Sequence, residues 1–388
     1  MERSSRMVDR AGVLRGIGRV ILGVVVGVAI FVAFSAFMRV QGVSLPAPTG
    51  PMPVGRTEIA LNDTGRVDPF FTDGRTRELA VWIWYPAVEG SSGAQAPYVP
   101  AAWAPLVNKE VPAPLSQDLT TVRTNAVENA ALDGRPPAVV LMPGLSLPVA
   151  SYSALAEELA SHGYAVIGIN PTGSTDVVFP DGRIVGATPA GNVSETVIDR
   201  WYESAARVAD VWAADAEFVV RTLAATPSPI GTLDFEHAAY IGHSMGGAAA
   251  FEACRRDSTC GAAVDMDGTL WTDIGNSGLE APRLLLQDDQ SGECDAFCQR
   301  ADPDFDRVMD AENAERFAIA GSRHMNYSDV GLMWGPANAL VLGTIEADRM
   351  SVITRDLVRS FLDVHLRGLP DSTFADAGAR YPEVEPVE

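Results

Sequence analysis

The sequence predicts an α/β fold in which a mostly parallel central sheet carries helices on both faces, preceded by one transmembrane helix. Two observations lead to this prediction. Short apolar runs rich in Val, Ile, Leu and Ala alternate with longer amphipathic segments through most of the chain, as is typical of βαβ units. A basic N-terminal segment is followed by nineteen residues without a charged side chain, which is long enough for a membrane span.

Composition supports a large folded domain and argues against one class of partner. The chain has 388 residues, of which 47% are hydrophobic. Its formal net charge is −21 at pH 7, so we expect no nucleic-acid partner. The charge is uneven, because residues 1–19 carry five Arg against Glu2 and Asp9, a charge of +3, and the remainder therefore carries −24.

Residues 20–38 are predicted to form a transmembrane anchor behind the basic segment 1–19. A helix rising about 1.5 Å per residue would just span a bilayer core of roughly 30 Å. Arg residues on its N-terminal side favour that end staying inside, which would leave the rest of the chain extracytoplasmic. A cleaved signal peptide is the alternative, with small residues at 33–35 or 42–44 as cleavage sites and a secreted product.

The rest of the chain divides into a linker, a domain and a tail. Residues 39–54 contain a proline-rich stretch, "PAPTGPMP", and are predicted to form an extended linker. The folded domain is predicted over 55–370, and residues 371–388 form an acidic C-terminal tail. Residues 88–136 are rich in Pro and Ala without a clear period; this insertion either covers the site or forms a surface excursion.

The domain's strands and helices follow from its apolar runs. Continuous apolar runs of this length suit strands that are buried on both faces, as in parallel sheets. The predicted strands are 78–87, 137–144, 164–170, 238–243, 261–267, 282–287 and 316–321. The predicted helices are 151–162, 194–225, 245–256 and 351–367.

The stretch "AAYIGHSMGGAAAFEAC" (238–254) contains a Gly-X-Ser-X-Gly motif around Ser244. A strand-like run leads into the motif and a small-residue helical pattern leads out. This context is typical of a nucleophile held on a sharp strand-to-helix turn above a sheet. An incidental serine in a Gly-rich turn is the alternative interpretation. Ser244 is therefore the candidate nucleophile.

A serine nucleophile needs a base, and the chain has five histidines. His324 follows the last strand-like run and lies in a loop, which fits the chain order serine, acid, histidine of this arrangement. Asp267 ends "AAVDMD" after the next strand and is the favoured acid, with Asp288 and Asp289 as alternatives after the later strand.

Two backbone amides are predicted to stabilise an oxyanion. One is the N–H of Met245, directly after the serine, and the other is the N–H of Leu145 in the loop after "VVLMPG". The apolar residues expected to contact substrate beside this site are Leu270, Trp271 and Met325.

The four cysteines lie in two sequence-local groups. In an exported protein an even number of cysteines indicates disulfides, and we favour the local pairs Cys254–Cys260 and Cys294–Cys298. A zinc site is disfavoured, since the spacings do not fit and no histidine lies near either pair. No metal or organic cofactor is expected.

Several segments resemble the platelet-activating factor acetylhydrolase and dienelactone hydrolase-like branch of the α/β-hydrolases, over residues 55–367. They are "RELAVWIWYPA", "PGLSLPVASYSALAEELASHGYAVIGIN", "GHSMGGAA", "VDMDG" and "GSRHMNYSD". The resemblance implies an α/β-hydrolase fold and a Ser244–Asp267–His324 triad, and it strengthens Asp267 as the acid. Pro143 departs from the pattern, because relatives often carry His there.

These observations predict a serine ester hydrolase that acts through an acyl-enzyme on small-molecule or lipid esters. A cutinase or polyester hydrolase-like enzyme is an alternative, since "GHSMGG" also occurs in that group. A membrane-tethered binding protein on a degenerate hydrolase fold is another, and an acyltransferase or peptidase with the same triad is a third. The oligomeric state does not follow from the sequence.

Overall fold

The structure is a computed structural model. It describes residues 10–103, 106, 113, 115–193, 198–226, 229–271, 278–289, 306–370 and 376–387. The helices are α1 (Arg10–Arg39), α2 (Ser153–Ser161), α3 (Ile198–Ala225), α4 (Met245–Arg256), α5 (Ala347–Arg367) and α6 (Ala377–Arg380). The strands are β1 (Val54–Val67), β2 (Thr76–Pro86), β3 (Gln95–Pro97), β4 (Arg123–Glu128), β5 (Pro137–Met142), β6 (Ala165–Asn170), β7 (Val177–Val178), β8 (Ile184–Val185), β9 (Asp234–His243), β10 (Ala262–Met266), β11 (Arg283–Gln287), β12 (Ala314–Ile319) and β13 (Val384–Pro386).

One large sheet organises the domain. Its strand order is β13-β12-β11-β10-β9-β5-β6-β2-β1-β4-β3. The run from β6 to β12 is parallel, whereas β2 pairs antiparallel with both β6 and β1. The predicted α/β fold is therefore confirmed, and each predicted strand and helix has a counterpart. The carboxyl ends of the parallel strands meet at one edge, where ligand sites of such sheets lie.

Two apolar cores lie on opposite faces of the sheet. In β5, Val139 and Leu141 belong to the core that includes α2 and α5, whereas Val140 and Met142 belong to the core that includes α3 and α4. Successive side chains of a strand point to opposite faces. A strand covered on both faces therefore reads as a continuous apolar run, which is why the sequence pattern located these strands.

Strands β1, β3, β4 and β13 and the two-residue strands β7 and β8 were not predicted, because their sequences lack an apolar run of that length. The outer half of β1 alternates partly buried and exposed residues, as expected of a strand with one face in water. β13 pairs with β12 at the edge of the sheet, so part of the segment predicted as a C-terminal tail belongs to the folded domain.

Helix α1 projects from the domain and is apolar and exposed along most of its length. By length and composition, Ile17–Arg39 would suffice to cross a membrane. The helix meets the domain at its C-terminal end. The Arg39 guanidinium donates to Ser116 O at 2.7 Å, and the Gln117 side-chain amide donates to Arg39 O at 2.9 Å.

The segment predicted as a linker, 39–54, lies against the domain instead of extending freely. Leu45 is buried in the core, and its N–H donates to Arg123 O at 2.9 Å. The Thr49 N–H donates to the Glu158 carboxylate at 2.9 Å. Burial of Leu45 and these backbone hydrogen bonds explain the difference, since prolines keep a segment extended without preventing it from packing.

A disulfide joins Cys254 near the end of α4 to Cys260 just before β10, with Cα atoms 5.2 Å apart. This confirms the first predicted pair. It closes the short turn that carries the chain from α4 back into the sheet. Cys294 and Cys298, the second predicted pair, lie outside the described residues.

Candidate active site

Ser244 lies on a sharp turn between β9 and α4. Its backbone has φ 57° and ψ −123°, a conformation that residues with a side chain rarely adopt. The Ser244 N–H donates to Met266 O at 3.0 Å, and Ser244 O accepts the Gly247 N–H at 3.0 Å. These hydrogen bonds hold the strained turn at the carboxyl edge of the sheet.

The glycines of the motif allow close backbone contacts around the turn. A Cβ on Gly242 would lie 2.1 Å from Gly246 O, and a Cβ on Gly246 would lie 2.2 Å from Met142 O and 2.4 Å from Pro143 O. Any larger residue would force these segments apart. The start of α4 is therefore packed directly on the end of β5 and on the loop that follows it.

His324 forms hydrogen bonds to both the serine and a carboxylate. It begins the 3₁₀ turn His324–Tyr327 after β12. Its Nε2 lies 2.8 Å from Ser244 Oγ, and its Nδ1 lies 2.6 Å from Asp267 Oδ2. Three side chains from three separate loops thus form one hydrogen-bonded chain, in the arrangement that lets a histidine accept a proton from a serine.

Asp267 directly follows β10, and its backbone φ of 57° turns its carboxylate toward His324. Its second oxygen, Oδ1, accepts the Asp288 N–H at 2.8 Å. Asp289 accepts the Gly321 N–H through Oδ2 at 2.7 Å. The structure therefore brings Asp267 to His324 Nδ1, while Asp288 supports Asp267 through its backbone and Asp289 holds the start of the histidine loop.

The chain is similar along nearly its whole length to two esterases. A solved structure, the "Ferulic acid esterase from Streptomyces cinnamoneus", superposes with a TM-score of 0.77 at 31% sequence identity, covering 90% of this chain and 100% of that one. A protein from Arthroderma benhamiae, named "Probable 1-alkyl-2-acetylglycerophosphocholine esterase", is 25% identical over 371 residues, covering 88% of this chain and 92% of that protein. No family model matches the chain.

The chain belongs to the esterase branch of the α/β-hydrolases. The resemblance noted from the motifs is thereby confirmed, because the Arthroderma protein is named for the platelet-activating factor acetylhydrolase reaction and the Streptomyces protein has the same fold.

The electrostatics around His324 favour the charged form of its ring. Burial alone would lower the pKa of His324, but its hydrogen bond to Asp267 and the charges of Asp267 and Asp288 raise it above 6.5. Burial and the neighbouring Asp267 charge raise the pKa of Asp288 to about 7. The contact with Asp267 thus favours the protonated form of His324.

A second aspartate lies beneath the site in a different state. Asp265 is fully buried, and burial raises the pKa of its carboxyl well above 3.8. Its Oδ1 accepts the Gly268 N–H at 2.8 Å, which fixes the turn that carries Asp267. Burial thus favours the neutral form of the Asp265 carboxyl. Asp265 fixes the turn, whereas Asp267 contacts His324.

The two amides predicted to bind an oxyanion lie on segments that touch. Met245 begins α4 and is buried, and Leu145 follows Gly144 in the loop that packs against Gly246 through Met142 and Pro143. Neither amide donates a hydrogen bond to another described residue. Both donors are therefore free for a ligand, as an oxyanion hole requires.

A buried hydrogen-bonded chain, which the sequence did not predict, ties the Leu145 loop to the histidine loop. His243 Nε2 lies 2.9 Å from His324 O, and His243 Nδ1 lies 2.7 Å from the Tyr152 hydroxyl. The Gly144 N–H donates to the same hydroxyl at 2.9 Å. A carbonyl only accepts, so Nε2 carries the proton and Nδ1 accepts from Tyr152.

The hydrogen bonds through Tyr152 and His243 have one fixed donor-to-acceptor direction. Burial lowers the pKa of His243 well below 6.5, which keeps its ring neutral. The hydrogen-bonded chain passes from Gly144, next to Leu145, through Tyr152 and His243 to the backbone of His324. The only sequence signal was a histidine inside the Gly-X-Ser-X-Gly motif, and its partner Tyr152 lies about ninety residues earlier.

A groove of about 420 Å³ begins beside the Leu145 loop. Ser146, Leu147 and Ser151 line it on the side of that loop. The insertion 88–136 also lines the groove, through Trp103, Leu106, Ser116 and Leu119. The insertion is tied to the segment after the histidine by the Tyr98 hydroxyl, which donates to Asp329 Oδ2 at 3.3 Å. It therefore forms a wall next to the site.

The three apolar residues predicted to contact substrate differ in burial and in packing partners. Leu270 is buried in the core on the α3 and α4 face, so its side chain packs the fold. Trp271 packs edge-on against Trp201 and Tyr202, with ring centroids 4.6 and 4.8 Å apart. Met325 follows the histidine and is partly buried. Contact with substrate stays a prediction for Trp271 and Met325.

Among the described residues, no group of three or more His, Cys, Asp or Glu is arranged to hold a metal ion.

Proposed function

We propose that this protein is a serine ester hydrolase that acts through an acyl-enzyme. The observation that carries the proposal is the continuous hydrogen-bonded chain from Ser244 Oγ through His324 to Asp267, with distances of 2.8 and 2.6 Å. Two esterases that cover nearly the whole chain support the same reaction class.

The reaction follows from the positions of these groups. His324 Nε2 takes the hydroxyl proton as Ser244 Oγ attacks the ester carbonyl carbon, and Asp267 stabilises the imidazolium. The amides of Leu145 and Met245 donate to the developing oxyanion. Collapse of the tetrahedral intermediate expels the alcohol, which takes the proton from His324. Water activated by His324 then attacks the acyl-serine and releases the acid.

The proposed substrates are uncharged or zwitterionic esters with short to medium acyl groups, including lipid-like esters. The domain is strongly acidic, so anionic substrates would be repelled at low salt. The groove beside the Leu145 loop has both apolar and hydroxyl-bearing walls, which suit an acyl chain and a polar ester group. The name of the Arthroderma relative, an acetyl-lipid esterase, supports the short acyl group.

The protein is further proposed to stay in the membrane through α1, with the hydrolase domain outside. The uncharged stretch 20–38 and the basic segment before it support this topology. In the alternative, a signal peptide is cleaved and the enzyme is secreted. N-terminal sequencing of the mature protein distinguishes the two, since cleavage would produce a chain that begins near residue 36 or 45.

The test of the catalytic proposal is Ser244→Ala in the full-length chain, with Ser91→Ala in a surface turn as the matched control. Ser244→Ala should lower the hydrolysis of p-nitrophenyl butyrate by several orders of magnitude and abolish labelling by a fluorophosphonate. The control should keep both. More than about a tenth of wild-type activity in Ser244→Ala would exclude Ser244 as the nucleophile.

A substrate series tests the proposed class. It contains p-nitrophenyl esters of graded length, a short-chain phosphatidylcholine, a feruloyl ester, a polyester film and a peptide amide. Fast amide cleavage with negligible ester turnover would overturn the esterase proposal. Preference for the polyester film would favour the cutinase-like alternative, and absence of both turnover and labelling would favour a binding protein.

A further inference from the structure

An apolar loop at 333–342 follows the histidine loop, and its residues 339–341 are exposed, whereas the others are partly buried. The surrounding stretch 330–345 contains no charged residue, although the domain as a whole is strongly acidic. Leu340 is 79% exposed, the largest value for a large apolar side chain in the described part of the chain, and Val341 is 43% exposed. Such a cluster on an acidic domain indicates a surface that is covered in use.

A contact between this loop and α1 indicates what covers the exposed surface. The Trp334 ring packs edge-on against Phe34, with ring centroids 5.6 Å apart. Phe34 belongs to the uncharged stretch 20–38, which has nineteen residues. As a helix this stretch is only about as long as the roughly 30 Å hydrocarbon core, so all of it is needed to span the membrane.

The contact therefore fixes the depth of the loop. Phe34 lies four residues before the outer end of the uncharged stretch, or about 6 Å along the helix axis. Because the two ring centroids are 5.6 Å apart, Trp334 lies within that distance of the depth of Phe34. A depth of about 5–10 Å is where amphipathic surface elements sit in a bilayer, and Trp is enriched at that level.

The groove next to the candidate active site reaches the outer end of α1. Ser116 lines the groove and also accepts a hydrogen bond from Arg39, at the outer end of α1. Val330, at the start of the uncharged stretch, also lines the groove. The groove thus runs from the Leu145 loop to the place where α1 leaves the bilayer.

We propose that the apolar loop 333–342 is seated in the outer leaflet beside α1, so that the groove takes its ester directly from the bilayer. The proposal commits to a zwitterionic or neutral lipid surface, because the acidic domain would be repelled by an anionic one. It rests on the proposed esterase function and on retention of α1. It adds a defined membrane-contact surface and a bilayer-resident lipid ester as the substrate class.

The first measurement does not depend on activity. The full-length chain is reconstituted in vesicles of phosphatidylcholine, and tryptophan fluorescence is quenched by brominated phosphatidylcholine. Trp334→Phe should remove a substantial part of the quenching, because Trp334 is the indole placed at bilayer depth. Equal quenching in the wild type and in Trp334→Phe would overturn the membrane seat, as would a mature chain that begins near residue 36 or 45.

The second measurement compares two esters in the same vesicles. Leu340→Asp should lower hydrolysis of a bilayer-resident phosphatidylcholine about fivefold, since a charge is penalised even near the membrane interface. Hydrolysis of soluble p-nitrophenyl butyrate should change by less than about twofold, because Leu340 lies outside the candidate catalytic groups.

Leu369→Asp is the matched control, since Leu369 is 42% exposed. It follows α5 near Arg367, which donates to His162 O at 2.8 Å, and His162 lies before β6 at the opposite edge of the sheet. If Leu340→Asp lowers the hydrolysis of the bilayer-resident phosphatidylcholine no more than Leu369→Asp does, the proposal is overturned. A wild type that hydrolyses neither ester while Trp334 is quenched would refute the esterase function and leave the membrane seat standing.

Discussion

Asp267→Asn should nearly abolish ester hydrolysis while leaving the fold intact. Asp267 has a backbone φ of 57°, a conformation that Asn tolerates better than most other residues. The substitution therefore keeps the turn. It changes one property, because a carboxylate that accepts two hydrogen bonds becomes an amide that accepts one and donates the other.

The neighbouring backbone decides which way the amide faces. Oδ1 of Asp267 accepts the Asp288 N–H at 2.8 Å, and that donor stays in place in the variant. The Asn oxygen must therefore remain there, and its NH₂ group must face His324 Nδ1. The imidazole would then place its proton on Nε2, where it can no longer accept the proton of Ser244. Losses of about 10⁴-fold in kcat are typical of this wrong tautomer, or about 5.5 kcal/mol in barrier.

The assay is kcat for p-nitrophenyl butyrate, with circular dichroism and thermal unfolding to check the fold. Asp288→Asn and Asp289→Asn are the matched controls. Asp288 supports Asp267 through its backbone N–H, which the substitution keeps, so each control should lose less than about tenfold. An equal or larger loss in Asp288→Asn than in Asp267→Asn would refute the assignment and move the acid to the loop after β11.

Two further predictions concern groups around the triad. The kcat/KM for a neutral ester should rise with pH through a midpoint above 6.5, because His324 acts as a base only when neutral and its pKa is raised. Asp288→Asn removes a nearby negative charge and should lower that midpoint. An unchanged or higher midpoint in this variant would contradict the electrostatics. Tyr152→Phe should lower kcat about tenfold with little change in KM. The Gly144 N–H and His243 lose their shared partner, and a displaced oxyanion donor stabilises the transition state less. A change in thermal stability alone would indicate that the hydroxyl has a purely structural role.

Much of the fold was predictable because its central strands are buried on both faces. β5 reads as an unbroken apolar run, β9 ends in one at 238–242, and β10 reads as one apart from Asp265. The glycines around Ser244 marked the turn that follows β9. The edge strands were missed for the opposite reason. β13 has only three residues, two of them exposed, so local sequence carries no signal that it pairs with β12.

The positions of Ser244, His324 and Asp267 in the chain were predictable from motif and order, but their supports were not. The Asp288 N–H that orients Asp267 lies on another strand's loop, and no local pattern reports it. The same holds for Tyr152 and His243, which meet only through the tertiary fold. Sequence reasoning identifies residues whose chemistry is distinctive, whereas hydrogen bonds to the backbone emerge only when distant loops are brought together.

Asn326 connects the candidate chemistry to the proposed membrane surface. Its side-chain oxygen accepts the Arg323 N–H at 2.8 Å and the Gly343 N–H at 2.7 Å. The first bond shapes the turn that presents His324, and the second closes the end of the apolar loop. Because Asn326 is buried and accepts both hydrogen bonds, it links the end of that loop to the turn that carries the histidine. A loop seated in the outer leaflet would therefore set the height of His324 and Ser244 above the bilayer, which is the geometry that an esterase acting on membrane-resident lipids requires.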